Sequence, residues 1–431
     1  MIRYQIFDTE TTLTFEVMPP LYHPYFNRWG QNVYAAYDPF THDPFTLDAD
    51  CTSGSPVILT CEKFFGFMNQ KGGTFSYDGA YRLTITCPAG QGLWVNEDCN
   101  PYAEWRAYSE AVLKSLPSSQ KNEDFWGGLE YCTWVDQKHR AAELGIEMVQ
   151  NALNQDFVYE YMRRVDQMKF PHGKLTIDDG WDLRFNTPDG RPCFGNWIVD
   201  TAKFPDMPQL VKDMKHEGFI PGLWFAPYTI TENCELAKKH PHVVGKFWPG
   251  DSELPTSRAL RFIRPEDEPL LESYYRGIFE PYVEMGFMKF KMDMSYGNKD
   301  QMQTLARIMH KVIKELNPAI EIEGHIADIF VSRYYDTVRL NDVNFENPNW
   351  RAITTEHYKV CRLSSPDKIL NFDHVGTNTP CPSEENYLMH AKMICRMRGG
   401  YPCMSLLPDV FGDSAIETVR EDLATWEKAC R

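Results

Sequence analysis

Two aspartates stand at the ends of apolar runs, where carboxyl groups could do nucleophilic and acid–base chemistry. Asp293 closes the run FMKFKMD at 287–293, and Asp342 follows the run DTVRL at 336–340 by two residues. If both runs are strands of one parallel barrel, their carboxyl ends meet at the rim where barrel enzymes carry their catalytic groups. One ionised and one protonated carboxyl group facing each other there are what glycoside hydrolysis requires. Taken singly, each aspartate could instead cap a helix or lie in a turn.

The run that ends at Asp293 also contains two lysines, and buried ammonium groups need partners. Lys291 lies two residues before Asp293, so strand alternation points both side chains to the same side, where the cation would hold the carboxylate ionised. Lys289 lies deeper in the same strand and needs a carboxylate of its own, which Glu321 or Glu323 could supply. The pattern therefore predicts a polar pocket at the end of an otherwise apolar strand.

A second acidic pair follows an earlier run. The segment LTIDDGWDL places Asp178 and Asp179 side by side before a glycine and Trp181. Neighbouring carboxylates repel, so a folded protein keeps them where hydroxyl groups or a cation satisfy them. Adjacent sugar hydroxyls would serve, although a helix cap with an exposed neighbour is the alternative. Trp181 and Trp224 are candidate platforms for a sugar ring, while either one alone is more typical of core packing.

The elements that must position these residues repeat along the chain from Leu129 onward. Short apolar runs alternate there with amphipathic stretches such as MPQLVKDMKHEG and QMQTLARIMHKVIKELNP. Strands buried on both faces read as continuous apolar runs, and eight strand–helix repeats over about 300 residues predict a (β/α)8 barrel. A doubly wound open sheet is the alternative, but no GxGxxG motif follows any run. The eight runs lie at 129–135, 174–178, 220–226, 287–293, 320–324, 336–340, 368–372 and 402–406.

The first part of the chain has a different pattern. Alternating runs such as GTFSYDGAYRLTITC, separated by turn residues, are typical of β-strands. The polar stretch at 113–124 is a candidate linker. We therefore predict an α/β protein with a small N-terminal β-rich domain at 1–118 and a (β/α)8 TIM barrel, the catalytic domain, at 119–431.

Charge and composition argue against several classes of function. With 60 acidic and 44 basic residues, the net charge of -16 disfavours binding to nucleic acid or to an anionic membrane surface. No apolar run approaches the ~20 residues that cross a bilayer, and the first residues lack a signal-peptide pattern, so we expect a cytoplasmic protein. The 12 cysteines contain no CxxC pair, which favours reduced packing thiols over disulfides. His325 and His374 have no metal-ligand spacing, and we expect neither a metal nor an organic cofactor.

Several motifs taken together resemble clan D retaining α-glycosidases, and most of all glycoside hydrolase family 36, the α-galactosidases, with family 31 as a neighbour. The motifs are LTIDDGWD, GNWIVDTAKFPDMPQLVKDMKHEGFIPGLWFAPY, FKMDMS, RLND and DHVGTNTP, and they occur in the family's order between about residues 125 and 405. The resemblance implies that Asp293 is the nucleophile and Asp342 the general acid/base. It also implies a set of residues that bind the non-reducing sugar: Asp178, Asp179, Lys291 and Trp224.

Among the chain's departures from the family's pattern, two concern the predicted site. The family's Glu-Ser-Cys, whose position contacts the sugar, reads Glu323-Gly324-His325 here, and the Trp of the acid/base motif is Arg339. We include His325 and Arg339 among the predicted substrate-binding residues, together with His374 of the DHVGTNTP segment.

The predicted function is a retaining α-glycosidase that cleaves α-galactosides, so the expected partner is a glycoside or oligosaccharide substrate. N-acetylgalactosamine, or glucose as in family 31, remains an alternative sugar. Transglycosylation and non-catalytic sugar binding are alternative functions, and a homo-oligomer is left open.

Overall fold

The computed structural model of the 431-residue chain describes residues 3–24, 40–41, 44–48, 56–116, 122–185, 192–248, 251–252, 258–295, 299–325, 328–340, 342–374 and 382–430. These residues contain two antiparallel sheets near the N-terminus, a closed barrel of eight parallel strands and a separate three-stranded sheet. The predicted (β/α)8 barrel with a β-rich N-terminal region is confirmed.

The described N-terminal residues form ten short strands and one helix. One sheet has the strand order β1-β10-β7-β6-β3-β4 and the other β2-β9-β8-β5. Aromatic side chains fill the space between the sheets, where the rings of Phe67 and Phe75 stack with their centroids 4.7 Å apart. The elements are β1 Arg3–Ile6, β2 Thr11–Glu16, β3 Leu21–Tyr22, β4 Phe40–Thr41, β5 Phe45–Asp48, β6 Val57–Leu59, β7 Phe64–Phe67, β8 Thr74–Tyr77, β9 Arg82–Cys87, β10 Gly92–Asn96 and α1 Pro101–Ser115.

The barrel strands follow one another in chain order, and each of the eight predicted runs overlaps one of them. A small antiparallel sheet is inserted after the third barrel strand. The strands are β11 Glu130–Cys132, β12 Lys174–Ile177, β13 Ile220–Phe225, then β14 Thr229–Ile230, β15 Val244–Phe247 and β16 Arg261–Ile263 of the inserted sheet, then β17 Lys289–Met292, β18 Glu321–Gly324, β19 Thr337–Arg339, β20 Ile369–His374 and β21 Gly400–Met404.

Helices cover the outside of the barrel with their apolar faces inward. They are α2 Thr133–Leu144, α3 Gln155–Gln167, α4 Met207–His216, α5 Glu235–Lys239, α6 Glu268–Met285, α7 Lys299–Leu316, α8 Trp350–Ser364, α9 Glu384–Ile394, α10 Pro408–Phe411 and α11 Asp413–Cys430. Within the described ranges, we find no helix with the length and apolar character that crossing a bilayer requires.

Helix α1 joins the N-terminal sheets to the barrel, and it was not predicted from the sequence. The Asn100 side chain caps it by accepting the backbone N–H groups of residues 102 and 103. Trp105 and Tyr108 of α1 pack in one apolar cluster with Val360 and Leu363 of α8. The candidate linker at 113–124 therefore begins inside a helix, and its residues 117–121 lie outside the described part of the chain.

Charged side chains fill the centre of the barrel. The Lys289 ammonium contacts the carboxylates of Glu130 and Glu323 and lies 3.7 Å from Glu321. Lys174 pairs with the other oxygen of Glu321 at 2.9 Å. Burial acts to lower the pKa of Lys289, but the three carboxylates outweigh it and raise that pKa above its ordinary value. The expectation that Glu321 or Glu323 is the partner of Lys289 is confirmed, and Glu130 is an additional partner.

We expect Lys289→Met to lower the free energy of unfolding by about 3–5 kcal/mol, because it leaves buried carboxylates without their cation. The measurement is equilibrium unfolding in urea near neutral pH. Lys311→Met is the matched control, since Lys311 pairs with Glu272 at 2.6 Å on the protein surface, where ion pairs contribute little. Equal urea midpoints for the two variants would contradict an ionised network in the barrel.

Candidate active site

The predicted site residues lie at the C-terminal ends of the barrel strands, as the barrel architecture requires. His374 is the last residue of β20, and its side chain lies outside the described part of the structure. The others are placed as follows: Asp178 and Asp179 after β12, Trp224 on β13, Lys291 on β17 and Asp293 directly after it, His325 after β18, and Arg339 at the end of β19 with Asp342 shortly beyond.

Asp293 is held by hydrogen bonds to both of its carboxylate oxygens. The indole Nε1 of Trp224 donates to Oδ2 at 2.9 Å, and the backbone N–H of Met294 donates to Oδ1 at 2.6 Å. His325 Nδ1 lies 3.4 Å from Oδ1, and the Asp293 side chain is 24% exposed. A carboxylate oxygen can accept more than one hydrogen bond or contact, so Asp293 is both fixed in orientation and open to a ligand.

The surroundings of Asp293 keep it ionised. Burial acts to raise its pKa, but His325, which is protonated in the acidic range where Asp293 titrates, outweighs it together with Arg339, Lys291 and the Trp224 N–H, and the pKa falls to about 2. Asp293 is therefore a carboxylate near neutral pH, as a nucleophile must be. Lys291 contributes to this as predicted, although its ammonium pairs directly with Asp178.

Asp342 is joined to Asp293 through two intervening side chains. Arg339 Nη1 donates to Asp342 Oδ1 at 2.7 Å, and Arg339 Nε donates to His325 Nε2 at 2.8 Å. His325 Nδ1, which lies 3.1 Å from Arg339 Nη2, is also 3.4 Å from Asp293 Oδ1. The Asp342 side chain is 28% exposed. The structure thus brings both predicted catalytic residues into one network that solvent reaches.

Residue 324, directly before His325, is a glycine for a steric reason. A Cβ atom on Gly324 would overlap the ring of Tyr335, whose hydroxyl is 2.7 Å from that of Tyr228. Burial and the neighbouring Arg339 lower the pKa of His325 to about 4. The imidazole is therefore neutral near neutral pH and can accept a hydrogen bond from Arg339.

Asp178 and Lys291 form a buried ion pair beside Asp293. Lys291 Nζ lies 2.7 Å from Asp178 Oδ2, and Cys132 Sγ donates to the same oxygen at 3.0 Å. The other Asp178 oxygen accepts the backbone N–H of Asp179 at 2.8 Å. Three strand ends therefore hold the Asp178 carboxylate in one orientation.

Asp179 has a different cation. Arg184 contacts one of its carboxylate oxygens, and Gln150 Nε2 donates to the other at 2.8 Å. The Arg184 guanidinium also lies over the ring of Trp224, 4.9 Å from its centroid. The adjacent acids are thus satisfied separately, Asp178 by Lys291 and Asp179 by Arg184. The sequence predicted a cation or hydroxyl groups for this pair, and the structure supplies two cations.

The two tryptophans do not present ring faces to the pocket. Trp181 is fully buried, its Nε1 donates to the backbone carbonyl of Trp224 at 2.9 Å, and its ring packs on Phe225 and Tyr282. Trp224 is 2% exposed and reaches the site through its N–H. The expected sugar platforms are thus corrected: Trp181 belongs to the core, because its buried N–H finds a partner there, and Trp224 orients Asp293.

Four further side chains of this network were not identified from the sequence: Cys132, Gln150, Arg184 and Asp373, the last of which accepts a hydrogen bond from Arg339 at 2.8 Å. Arg184 lies in a single 3-10 turn, Leu183–Phe185, and Cys132 ends a three-residue strand. Arg184 has no periodic pattern around it, and Cys132 is a single thiol within the predicted run at 129–135. Asp373 lies in the DHVGTNTP motif, which drew attention only to its histidine. Among the described residues, no three His, Cys, Asp or Glu side chains are arranged to hold a metal ion.

Part of the chain matches a known family in sequence. Residues 137–258 match the Melibiase family model. The resemblance to clan D α-glycosidases is thereby confirmed. Alpha-galactosidase 2 of Pediococcus pentosaceus is 38% identical over 68 residues, which are 16% of this chain and 9% of that protein. Alpha-galactosidase AgaA of Geobacillus stearothermophilus is 32% identical over 108 residues, 25% of this chain and 11% of that protein.

The likeness in fold extends over nearly the whole chain. The structure of family 36 AgaA in complex with stachyose superposes with a TM-score of 0.65 at 13% identity, covering 97% of this chain and 62% of that one. A family 31 alpha-xylosidase from a soil metagenome, complexed with xylose, gives a TM-score of 0.60 at 14% identity, covering 92% and 58%. These matches show a shared fold. The chain spans less than two thirds of the length of each of these relatives.

Proposed function

We propose that this chain is a retaining α-glycosidase that acts on α-galactosides. The observation that carries the proposal is the pair of carboxylates, Asp293 and Asp342, joined through His325 and Arg339 at the barrel rim. AgaA, which shares the fold, is seen in complex with stachyose. The match to the Melibiase model and to two alpha-galactosidases supports galactose as the sugar.

The proposed reaction has two displacements. In the first, a carboxylate oxygen of Asp293 forms a bond to the anomeric carbon while the glycosidic C–O bond breaks, and Asp342 gives its proton to the departing oxygen. In the second, Asp342 takes a proton from water, whose oxygen attacks the same carbon and breaks the ester to Asp293. Two inversions leave the sugar with its original configuration, and Asp342 regains its proton.

Asp178, Asp179 and Lys291 are proposed to hold the sugar beside Asp293. The carboxylates can accept hydrogen bonds from sugar hydroxyls, and the ammonium can donate one. Because each of these groups is already fixed by a protein partner, the sugar would meet a preorganised set of donors and acceptors.

A sugar-binding barrel without catalysis is the second candidate. Arg339 donates to Asp342 at 2.7 Å, and a cation at that distance favours the ionised carboxylate. A general acid must instead carry a proton. If Arg339 keeps Asp342 ionised throughout, the pocket would bind a sugar and leave its glycosidic bond intact.

The experiment that tests the proposal compares the 4-nitrophenyl α-glycosides of galactose, N-acetylgalactosamine and glucose. We expect release of nitrophenol from the galactoside at a rate at least about tenfold above the other two, a ratio worth ~1.4 kcal/mol in transition-state binding. Asp293→Asn is the control, since it keeps the shape of the side chain and removes the nucleophile. Binding of galactose without release of nitrophenol from any substrate would favour the sugar-binding barrel.

Product analysis separates the remaining alternatives. Proton NMR during hydrolysis should show α-galactose first if configuration is retained, and β-galactose first would mean inversion. Raffinose and stachyose are the oligosaccharides to test. Longer oligosaccharides appearing at high substrate concentration would identify transglycosylation, in which a sugar replaces water in the second displacement.

A further inference from the structure

Asp373 lies near the end of β20, where the strand is irregular. The pairing of β20 with β21 shifts register between Asn371 and His374, and Asp373 has a positive φ of 59°. Its backbone N–H donates to Asn371 Oδ1 at 2.9 Å. Such irregularities redirect a side chain and are frequent beside active sites, and Asp and Asn tolerate the left-handed conformation better than most residues. Here the irregularity turns a fully buried carboxylate toward Arg339.

One nitrogen of Arg339 donates hydrogen bonds to two carboxylates. Nη1 donates to Asp373 Oδ1 at 2.8 Å and to Asp342 Oδ1 at 2.7 Å. Asp373 has no exposed surface, whereas Asp342 is partly exposed. A ligand in the pocket can therefore reach Asp342, while the buried Asp373 carboxylate influences the site through the guanidinium.

The carboxylate of Asp373 weakens the effect of Arg339 on the protonation of Asp342. A guanidinium facing a single carboxylate favours its ionised form, which is the wrong state for a general acid. A second carboxylate on the same nitrogen offsets that cation. As a like charge nearby, it also disfavours a negative charge on its neighbour, so the pair takes up a proton more readily than either group would beside Arg339 alone.

We propose that Asp373 is a positioning residue that offsets the charge of Arg339 and so allows Asp342 to hold the proton that the leaving group receives. This inference rests on the proposed glycosidase function. Arg339 then orients Asp342 and does not force it into the ionised state.

Other charged and titratable groups face Arg339 and Asp342, and the substitutions below leave all of them in place. They come from neighbouring strands and helices and from the residues that follow them: Lys138 of α2, Lys291 of β17, Asp293 after β17, Glu323 of β18, His325 after β18 and His357 of α8. A change in pH dependence on substitution of Asp373 therefore reports the charge of that one residue.

The test compares Asp373→Asn with the unmodified protein on phenyl and 2,4-dinitrophenyl α-galactoside. Asparagine keeps the shape of the side chain and suits the positive φ. Once the negative charge of residue 373 is removed, Asp342 is the one of these two carboxylates that still faces Arg339. Its ionised form is then stabilised more strongly. The alkaline limb of kcat/KM for the phenyl substrate should therefore move to lower pH by about one unit or more. Dinitrophenolate leaves without a proton, so kcat/KM for that substrate should change little.

Asp136→Asn is the matched control. Arg164 pairs with two carboxylates, those of Asp136 at 3.4 Å and Asp409 at 2.6 Å, just as Arg339 pairs with Asp373 and Asp342. Asp136 lies outside the network of Asp293 and Asp342. This variant should lose thermal stability without any movement of the alkaline limb. If Asp373→Asn fails to fold, Asp373→Gly removes the same charge at a backbone conformation that glycine adopts readily.

An unchanged alkaline limb and an unchanged ratio of the two substrates in a folded Asp373 variant would overturn this inference and leave the glycosidase proposal standing. Failure of the unmodified protein to hydrolyse either galactoside would overturn both. A shift of the limb to lower pH, confined to the phenyl substrate, is the result that supports the role of Asp373.

Discussion

Asp293→Gly should lower kcat for an aryl α-galactoside by on the order of 10⁴-fold or more, the scale of loss when the nucleophile of a catalytic unit is removed. The expected reason is that the Asp293 carboxylate supplies the oxygen that bonds to the anomeric carbon, and glycine has no side chain to replace it. The hydrogen bonds that orient Asp293, from Trp224 and the backbone of Met294, leave its carboxylate open to the pocket. The measurement is initial-rate kinetics near neutral pH.

Azide should partly restore turnover of the Asp293→Gly variant. The small anion can occupy the space of the missing carboxylate and attack the anomeric carbon, while Asp342 still protonates the leaving oxygen. A single inversion then yields the β-galactosyl azide. Asp293→Asn is the matched control, because its amide fills that space and should prevent rescue. Activity of the glycine variant within tenfold of the unmodified protein, or an α-azide product from it, would argue against Asp293 as nucleophile.

Asp342→Ala should reduce kcat/KM for phenyl α-galactoside by on the order of 10²–10⁴-fold, the usual contribution of a general acid. The loss should be far smaller for the first step with 2,4-dinitrophenyl galactoside, whose leaving group needs no proton. The second step lacks its base, so the galactosyl ester on Asp293 should accumulate and appear as a burst of dinitrophenolate. Mass spectrometry of the quenched enzyme measures the ester directly.

Azide distinguishes this variant from the previous one. It attacks the accumulated ester without needing a base, and two inversions give the α-galactosyl azide. The two aspartate variants should therefore form opposite anomers from the same substrate. An equal loss for both leaving groups, without a burst, would show that Asp342 does not act as the acid.

Much of the site could be predicted because it depends on local pattern. Asp293 and Asp342 were found because each follows an apolar run. Lys291 and Asp293 are two residues apart, so strand alternation points both side chains to the same side. The depth of Lys289, and its need for Glu321 or Glu323, followed from the same rule and is confirmed. These predictions use positions along single strands and the parallel order of the strands in a barrel.

The tryptophans show where local pattern fails. The sequence DDGW does not determine whether the Trp181 ring faces the pocket or the core. In the structure it packs in the core. Trp224 lies at the rim, but its contribution is an N–H bond to Asp293 instead of a ring face. Helix α1 was missed for a related reason, since its aromatic residues and the strands before it have similar composition.

By itself, the sequence determined the barrel and the strand ends at which chemistry would be found, because a strand buried on both faces must be apolar and its covering helices amphipathic whatever their partners. Only the tertiary structure decided which charges meet: Lys291 with Asp178, Arg184 with Asp179, and Arg339 with both Asp342 and Asp373. Asp179 and Asp342 lie within five residues of their arginines, but the pairs Lys291–Asp178 and Arg339–Asp373 join different strands, and they depend on closure of the barrel and on the irregular end of β20. A local sequence pattern predicts neither the closure of the barrel nor the irregular end of β20.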